Sequence, residues 1–452
     1  MKNFFSILIA ALLFAAVSCQ QDEIFTEQED NNLALKSYTL VDDYRWELTI
    51  PSNLGVFSKG LLTLPENWND LPNRYLIYYA HGMVDPDFPI ALPEDIIGGK
   101  PVEQIVKDMG MGYATTSYGD NGLVADRAVE DIKQLVIEVN KIFADNNELL
   151  PPDYLFLGGP SEGGLVTILT IERYPDMFDG ALSICGPIGN FYNQLQYNGD
   201  FHVLFNYFFG KELQDTYDKY VGNPEDGVGD KDSADWNDGF IPLSLQWSID
   251  HLMQQNPSKV KQLLKCAKVK TDMTDQETMR RTVLECLRFN VKLTNDVITR
   301  LTGTPFNNSR KWYWGSYNDW RLNRYVQRVC PDNYDIIKTT VKDRYETTGE
   351  IEIPLVTLHT TGDHITPYWH QTAYRMKVFL NGNSLLYTGI PVFNYGHCTI
   401  EESHLMAAMA ILIAKTSFKN IFAVDPSLFS NEQSLESFKQ ILKDNSVEVQ
   451  VN

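Results

Sequence analysis

The sequence is poor in basic residues relative to acidic ones. Its 452 residues include 38 Lys and Arg against 59 Asp and Glu, for a formal net charge of -21 and a pI near 4.8. Binding to nucleic acid or to an anionic membrane through general electrostatics needs an excess of Lys and Arg. The composition therefore argues against nucleic acid as a partner and favours neutral or cationic ligands.

Cysteine is also scarce, with six residues in the chain. Five of them follow Cys19, and an odd number cannot all pair within one chain in an oxidising compartment. Cys266 and Cys286 lie twenty residues apart in helix-like sequence, and we predict a disulfide between them. Cys185 and Cys398 are predicted to be small core residues.

The chain begins with an apolar run that is shorter than a membrane-spanning helix needs. Lys2 precedes the apolar stretch 4–14, and small residues lead to Cys19, which together predict a secretion signal over 1–18. The stretch Ala16-Val17-Ser18-Cys19 resembles the bacterial lipobox, whose cysteine becomes the lipidated first residue of the mature protein. An ordinary cleaved signal with an incidental Cys19 is the alternative.

The residues after Cys19 are polar and acidic, and 19–35 is predicted to be a solvated tether. Asp22 and Glu23 resemble the acidic export signals of bacterial surface lipoproteins. The resemblance implies a cell-envelope protein on the outer membrane, facing either the periplasm or the outside. Contact with the membrane would then be made only through the lipid anchor.

The chain exceeds the usual single-domain limit of about 250–300 residues, which predicts two domains or one with a large insertion. Near its start, apolar and polar residues alternate, which predicts half-buried strands. Continuous apolar strands then alternate with helices up to about residue 190 and again from residue 351. This order predicts an α/β fold with a doubly wound, mostly parallel sheet over 36–190 and 351–452. The intervening 191–350, with helix-like runs at 258–267 and 275–290, is predicted to be a mainly helical cap insertion.

The most specific motif is Gly159-Pro160-Ser161-Glu162-Gly163, which follows the apolar run 154–157 and precedes a helical pattern. A Gly-x-Ser-x-Gly between a strand and a helix is typical of a nucleophile elbow. A serine hydroxyl attacks a carbonyl only where a base takes its proton and N–H donors stabilise the oxyanion. Ser161 is thus the candidate nucleophile.

Two later loops supply the missing partners. Asp363 follows the apolar run 353–358, and His397 follows the strand pattern that ends near Phe393. His397 is predicted to act as the base, with Asp363 orienting its ring. Asp363 as the N-cap of the next helix is a compatible alternative.

The chain order Ser161, Asp363, His397, with each residue after a strand, resembles the α/β-hydrolase superfamily. The resemblance covers about 36–190 and 351–415, and the insertion matches no subfamily. In that family the oxyanion is held by the N–H after the nucleophile and by one from the loop after the third strand. These positions correspond to Glu162 and to Met83 or its neighbour Gly82.

Two groups of residues have metal-ligating types close in sequence, but neither pattern favours a metal site. His359, His364 and His370 lie close in sequence but lack a credible set of further ligands. Asp230 and Asp232 have calcium-loop spacing, but the following positions do not fit an EF-hand, and a solvated loop is preferred. No metal and no cofactor is predicted.

The cap is rich in aromatic residues, which form either its own core or a wall of the substrate site, the core being favoured. In the second case the substrate has an apolar or aromatic part. These residues are Phe205, Tyr207, Phe208, Phe209, Trp312, Tyr313, Trp314, Tyr317 and Trp320.

The sequence therefore predicts a secreted, lipid-anchored serine hydrolase that cleaves a carboxylic ester through an acyl-Ser161 intermediate. One alternative is a serine exopeptidase of the same fold acting on short peptides, with Glu162 or the acidic residues of 223–238 holding the substrate's amine. Another is an inert surface lipoprotein that binds glycans through its aromatic residues. Both alternatives place the residues that bind the ligand mainly in the cap, so the cap decides among the three functions.

Overall fold

A computed structural model of the chain describes residues 37–451 except 53–54, 98, 214–219, 228–240, 418–420 and 425. The predicted signal, Cys19 and the tether lie outside the described residues, as do Asp230 and Asp232 of the calcium interpretation.

A nine-stranded sheet forms the centre of the molecule, in the order β1-β2-β3-β5-β4-β6-β7-β8-β9. The first three strands and the β3–β5 contact are antiparallel, and the remaining contacts are parallel. The predicted α/β fold class is confirmed. The strands are β1 Tyr38–Asp42, β2 Arg45–Pro51, β3 Phe57–Thr63, β4 Tyr75–Tyr79, β5 Gly112–Thr116, β6 Tyr154–Pro160, β7 Gly180–Ile184, β8 Leu355–Gly362 and β9 Tyr387–Tyr395.

Helices cover both faces of this sheet, as its buried, apolar parallel strands require. Helices α2 (Ala125–Asp145) and α3 (Glu162–Arg173) pack in the apolar cluster on one face. Helices α1 (Val102–Asp108) and α11 (Glu402–Ser417) pack in the cluster on the other face. Since parallel strands end at one edge, the loops after β4, β6, β8 and β9 all meet there.

Between β7 and β8 the chain forms helices with an apolar core of their own. That core includes Phe205, Phe208, Phe209 and Tyr313 from the aromatic set. The division into core and cap at 191 and 350 stays a prediction. The helices are α4 Phe191–Phe205, α5 Leu243–Gln255, α6 Pro257–Ala267, α7 Gln276–Leu301, α8 Asp319–Tyr325 and α9 Tyr334–Tyr345.

The chain continues with α10 (Trp369–Leu380) between β8 and β9. After α11, the structure has a further helix, α12 (Glu432–Asp444), and a parallel pair of strands, β10 (Ile421–Val424) and β11 (Glu448–Val451). Helix α12 packs against α11 through Phe438 and Leu442, which are fully buried.

None of the helices within the described ranges is both long enough and apolar enough to cross a membrane.

Candidate active site

The structure brings Ser161, His397 and Asp363 together at the carboxyl edge of the sheet. His397 Nε2 lies 2.9 Å from Ser161 Oγ, and His397 Nδ1 lies 2.7 Å from Asp363 Oδ2. Each residue follows a different parallel strand, β6, β8 or β9. With Nδ1–H donating to the carboxylate, Nε2 is free to accept the serine proton.

Ser161 lies on a sharp turn from β6 into α3. Its φ is +54°, a left-handed value that few residues other than glycine adopt. The flanking glycines allow this turn to pack closely, because a Cβ on Gly159 would lie 2.0 Å from Ala80 O and one on Gly163 1.9 Å from the same atom. The turn directs the hydroxyl away from the sheet edge toward His397, as a nucleophile elbow requires.

Asp363 is fully buried and held in place by its own loop. Its Oδ1 accepts hydrogen bonds from the backbone N–H groups of Ile365 and Thr366, at 2.9 and 2.8 Å. It is not the N-cap of α10, which begins at Trp369 after Tyr368. Its second oxygen, Oδ2, is thereby aimed at His397.

The environment of His397 favours its charged form. Burial lowers the pKa of the imidazole, but the adjacent Asp363 carboxylate more than offsets this, and the pKa is raised above its ordinary value. An imidazolium at this position would therefore be stabilised by the same carboxylate.

The two predicted sources of oxyanion N–H groups lie beside Ser161. Gly82 packs against the serine, since a Cβ there would lie 3.5 Å from Ser161 Cβ. Gly82 and Met83 line the same cavity as Ser161 and His397. Glu162 begins α3, so its N–H points out of the helix with the positive end of the helix dipole.

The side chain of Glu162 points away from the cavity, into the protein. Its Oε1 accepts the N–H groups of Val124 and Ala125 at the start of α2, at 2.8 and 2.9 Å. Burial raises the pKa of Glu162 to about 8. The suggestion that Glu162 holds a substrate amine is therefore wrong, because its carboxyl group already binds α2.

The described cysteines are unpaired, so the predicted Cys266–Cys286 disulfide is wrong. Cys266 and Cys286 lie on different helices of the cap core, and Cys286 Sγ contacts His364 O at 3.6 Å. Cys185 is buried, as predicted. Cys398 instead lines the Ser161 cavity, with Sγ 3.7 Å from His397 Nε2.

Among the described residues, three side chains of metal-ligating type lie together: Cys185, His359 and Asp363. Their candidate ligand atoms are all within 4.8 Å of one another. This group does not suit a metal, because His359 Nε2 lies 2.7 Å from Thr366 O and must carry a proton to donate there. His359 Nε2 also lies 3.8 Å from Asp363 Oδ2.

Two cavities meet at His397. The smaller, about 340 Å³, contains Ser161, Gly82 and Met83 and is walled by isoleucines at 96, 97, 184 and 400. The larger, about 760 Å³, lies between α7 and the loop that carries His397. Phe289 and Lys292 of α7 line both cavities, and sequence reasoning missed them.

The exposed tryptophans lie elsewhere. Trp312 and Trp314 line a separate cavity with Trp369, and Trp320 packs on Trp312 with ring centroids 5.0 Å apart. Among the described residues, none of the predicted aromatic set lines either cavity at His397. The aromatic side chains that line the larger of these cavities are Phe88, Phe289 and Tyr395 instead.

No family model matches the sequence, and no curated protein matches it. Among solved structures, the chain is similar to an acylaminoacyl peptidase from Pyrococcus horikoshii (9% identity, 84% of this chain and 42% of that one, TM-score 0.39). It is also similar to a Mycobacterium tuberculosis puromycin-hydrolyzing peptidase, with 10% identity over 82% of this chain and 38% of that one and a TM-score of 0.40. A third similar structure is feruloyl esterase B from Aspergillus oryzae, with 13% identity over 79% of this chain and 74% of that one and a TM-score of 0.41. The chain spans about two fifths of the length of the two peptidases.

The assignment of the fold rests on the molecule itself. Ser161 lies on a turn between a strand and a helix, and Asp363 and His397 follow it in chain order on loops at the same edge of a doubly wound sheet. This arrangement is that of the α/β-hydrolase fold. The chain has the α/β-hydrolase fold.

Proposed function

We propose that this chain is a serine hydrolase that cleaves a carboxylic ester through an acyl-Ser161 intermediate. The observation that carries the proposal is the continuous chain of contacts from Ser161 Oγ through His397 to Asp363, at 2.9 and 2.7 Å, beside an open cavity. Neither a packing role nor a sugar-binding role requires all three residues in this geometry.

In the first half-reaction, His397 Nε2 takes the Ser161 proton as Oγ bonds to the ester carbonyl carbon. The carbonyl oxygen becomes an oxyanion, stabilised by the N–H of Glu162 and that of Met83 or Gly82. The bond to the alcohol oxygen then breaks, and His397 returns the proton to that oxygen. In the second half-reaction, His397 takes a proton from water as the water oxygen bonds to the acyl carbon. The bond from that carbon to Ser161 Oγ then breaks, His397 returns the proton to Oγ, and the acid is released.

Two experiments test the proposal. A fluorophosphonate probe should label the wild type and not Ser161→Ala, and a series of p-nitrophenyl acyl esters should be hydrolysed by the wild type alone. Turnover of only aminoacyl-nitroanilides would replace the esterase by the exopeptidase. An unlabelled, folded wild type would instead favour the glycan-binding lipoprotein.

The proposal includes export and a lipid anchor at Cys19, which places the enzyme in the cell envelope on the outer membrane. Its support is the sequence of residues 1–19.

A further inference from the structure

We propose that Lys292 of the cap and Asp85 of the loop after β4 are positioning residues for the oxyanion hole. The inference rests on the proposed hydrolase function and gives a role in the same site to an ion pair outside the triad. Its basis is the contact between helix α7 and the loop that carries Gly82 and Met83. We refer to that loop, residues 82–88, as the oxyanion loop.

Three charged residues of α7 form one row along the helix. Lys292, Asp296 and Arg300 follow each other at steps of four residues, which places them on the same face. Their side chains are largely buried, with exposed fractions of 19%, 6% and 13%. Buried charges need partners, and two loops at the carboxyl edge of the sheet supply them.

Two members of the row, Asp296 and Arg300, hold the loop after β5. Asp296 Oδ2 accepts the N–H of Leu123 at 2.6 Å, and Arg300 Nη1 donates to Asp120 Oδ2 at 2.8 Å. Arg300 also donates to the backbone oxygen of Asn121. These contacts fix the loop after β5 to the cap.

The loop after β5 in turn supports the oxyanion loop through hydrogen bonds to its backbone carbonyl groups. The N–H of Gly122 donates to Val84 O at 2.9 Å, and the side chain of Asn121 donates to Phe88 O at 2.7 Å. A Cβ on Gly122 would lie 2.5 Å from Asp296 Oδ2, so α7 packs directly on this support.

Lys292 makes a direct contact between α7 and the oxyanion loop. Its Nζ lies 3.0 Å from Oδ2 of Asp85, whose side chain is 6% exposed. The other oxygen, Oδ1, is buried without a hydrogen-bond partner among the described residues, so the ion pair holds this carboxylate. Asp85 is two residues from Met83, and Lys292 lines the Ser161 cavity beside Gly82 and Met83.

The oxyanion hole needs this support because its donors are backbone N–H groups. The N–H of Glu162 is fixed at the first turn of α3, whereas a donor at Gly82 or Met83 moves with its loop. A displacement of about 1 Å from the productive geometry can cost on the order of 10²-fold in rate. The cap therefore acts on the reaction through the position of this second donor.

The test breaks the ion pair from either side. Lys292→Met and Asp85→Ala should each lower the kcat/KM for a p-nitrophenyl ester by about 10- to 100-fold, because a displaced donor keeps part of its effect. Rates are expressed per serine labelled to completion by the fluorophosphonate probe, so an unfolded fraction does not contribute. Lys292→Arg keeps a cation beside Asp85 and should recover most of the activity.

The ion pair of Arg280 with Asp250 is the matched control. It also involves α7, with 2.8 Å between Arg280 Nε and Asp250 Oδ1, but its aspartate lies on the cap helix α5. Arg280→Met and Asp250→Ala should therefore keep the wild-type kcat/KM. Equal losses in the two sets of variants would show a general effect of cap stability and would overturn the proposal.

Two readouts distinguish positioning from substrate binding. A trifluoromethyl ketone forms a hemiketal oxyanion with Ser161, so its Ki should rise in Lys292→Met by the factor lost in kcat/KM. With Ser161→Ala also present, the affinity for the intact ester should change by less than about twofold, because oxyanion donors act in the transition state. A loss of ester affinity as large as the loss of kcat/KM would mean that Lys292 binds the substrate, and the positioning role would be wrong.

A further variant and hydrogen exchange keep folding and catalysis apart. Asp85→Asn preserves the shape of the side chain, so it folds even where Asp85→Ala does not, and it should still lower kcat/KM severalfold. Amide exchange in a peptide covering the oxyanion loop should be faster in Asp85→Asn than in the wild type and Asp250→Ala. Wild-type exchange in Asp85→Asn, or its wild-type kcat/KM, would refute the positioning role. A wild type whose Ser161 is not labelled would refute only the hydrolase, since the exchange comparison needs no activity.

Discussion

Ser161 combines a strained backbone with a complete set of polar partners. A positive φ in a non-glycine residue costs free energy and persists only where the surroundings enforce it. Here the enforcement comes from the hydrogen bond of Ser161 N–H to Ile184 O at 2.7 Å and from the close contact of the flanking glycines with Ala80. The strained turn fixes Ser161 Oγ against His397, and Asp363 fixes the orientation of the His397 ring.

The pH dependence of catalysis should report the Asp363–His397 contact. His397 acts as a base only when it is neutral, and Asp363 raises its pKa above the ordinary value of 6.5. The kcat/KM of the wild type should therefore fall with decreasing pH, and the midpoint of this fall should lie above pH 6.5. In Asp363→Asn the contribution of the carboxylate is lost while burial still lowers the pKa of the ring, so the midpoint should move to lower pH. The rate should also fall by roughly 10³–10⁴-fold.

This prediction is checked by the second-order rate of fluorophosphonate labelling of Ser161 across pH, which remains measurable in slow variants. An unchanged midpoint in Asp363→Asn would mean that the carboxylate does not control the pKa of His397.

Glu162 should make the protein less stable as the pH rises. Its pKa is about 8 in the folded state because of burial, against an ordinary value near 4.5. Between these values the folded state holds a proton that the unfolded state has lost, so the free energy of unfolding decreases with pH. The decrease is on the order of several kcal/mol, since each pKa unit corresponds to about 1.4 kcal/mol.

Glu162→Gln keeps an oxygen for the N–H groups of Val124 and Ala125 and removes the titration. Denaturant unfolding at pH 5, 7 and 9 should show a flatter pH dependence in this variant. Glu436→Gln, on an exposed side chain, is the control and should follow the wild type. Parallel curves for wild type and Glu162→Gln would contradict the prediction.

At the scale of the elements, the elbow depends on how closely β4, β6 and α3 approach one another. A methyl group at Gly163 would lie 1.9 Å from Ala80 O and 2.7 Å from His81 O, and these backbone atoms belong to the loop that directly follows β4. Gly163→Ala should therefore destabilise the protein by about 3 kcal/mol or more. Gly82→Ala, whose methyl group would make ordinary contacts at 3.5 Å, should fold normally.

Thermal unfolding of the two glycine variants checks this expectation. Equal melting temperatures for Gly163→Ala and the wild type would show that the close approach of α3 to β4 is not needed.

The elements of the core were predictable because each carries its own signal. Buried parallel strands are continuous apolar runs, and the helices between them have one apolar face, so the order of β4 to β9 and the position of Ser161 on a turn follow from local patterns. Asp363 and His397 were predictable because each follows a strand pattern and because their order after Ser161 resembles that of the α/β-hydrolases.

The cap could not be placed in the same way. That α7 faces His397 depends on contacts between distant parts of the chain, such as Lys292 with Asp85 and Arg300 with Asp120 at 2.8 Å. The row of Arg281, Glu285, Arg288 and Lys292 is visible in the sequence at helical spacing, but the same spacing is common on solvated helices. The tryptophans gave a stronger compositional signal and lie elsewhere.

For the whole molecule, net charge and local charge lead to different conclusions. The composition favoured neutral or cationic ligands, because acidic residues outnumber basic ones across the chain. The larger cavity at His397 has the opposite balance, because four Lys or Arg side chains and two carboxylates line it. Long-range attraction is set by the entire surface, whereas binding is set by the charges that face the ligand, and only a structure separates the two.

The last prediction concerns where the whole molecule resides. A diacylated cysteine binds membranes stably because its two chains together bury many methylenes, each worth about 0.8 kcal/mol. If Cys19 is lipidated, the expressed wild type should sediment with membranes and be released by detergent, whereas Cys19→Ser should remain in the soluble fraction. Cys330→Ser, at the exposed described cysteine, is the matched control and should sediment like the wild type.

Fluorophosphonate labelling of both fractions makes the result independent of folding. Cys19→Ser should label at Ser161 as fast as the wild type, because the tether holds no predicted part of the site. A fully labelled Cys19→Ser protein that still sediments with membranes would show that another part of the chain binds them, and the lipid anchor would be rejected while the hydrolase proposal stood.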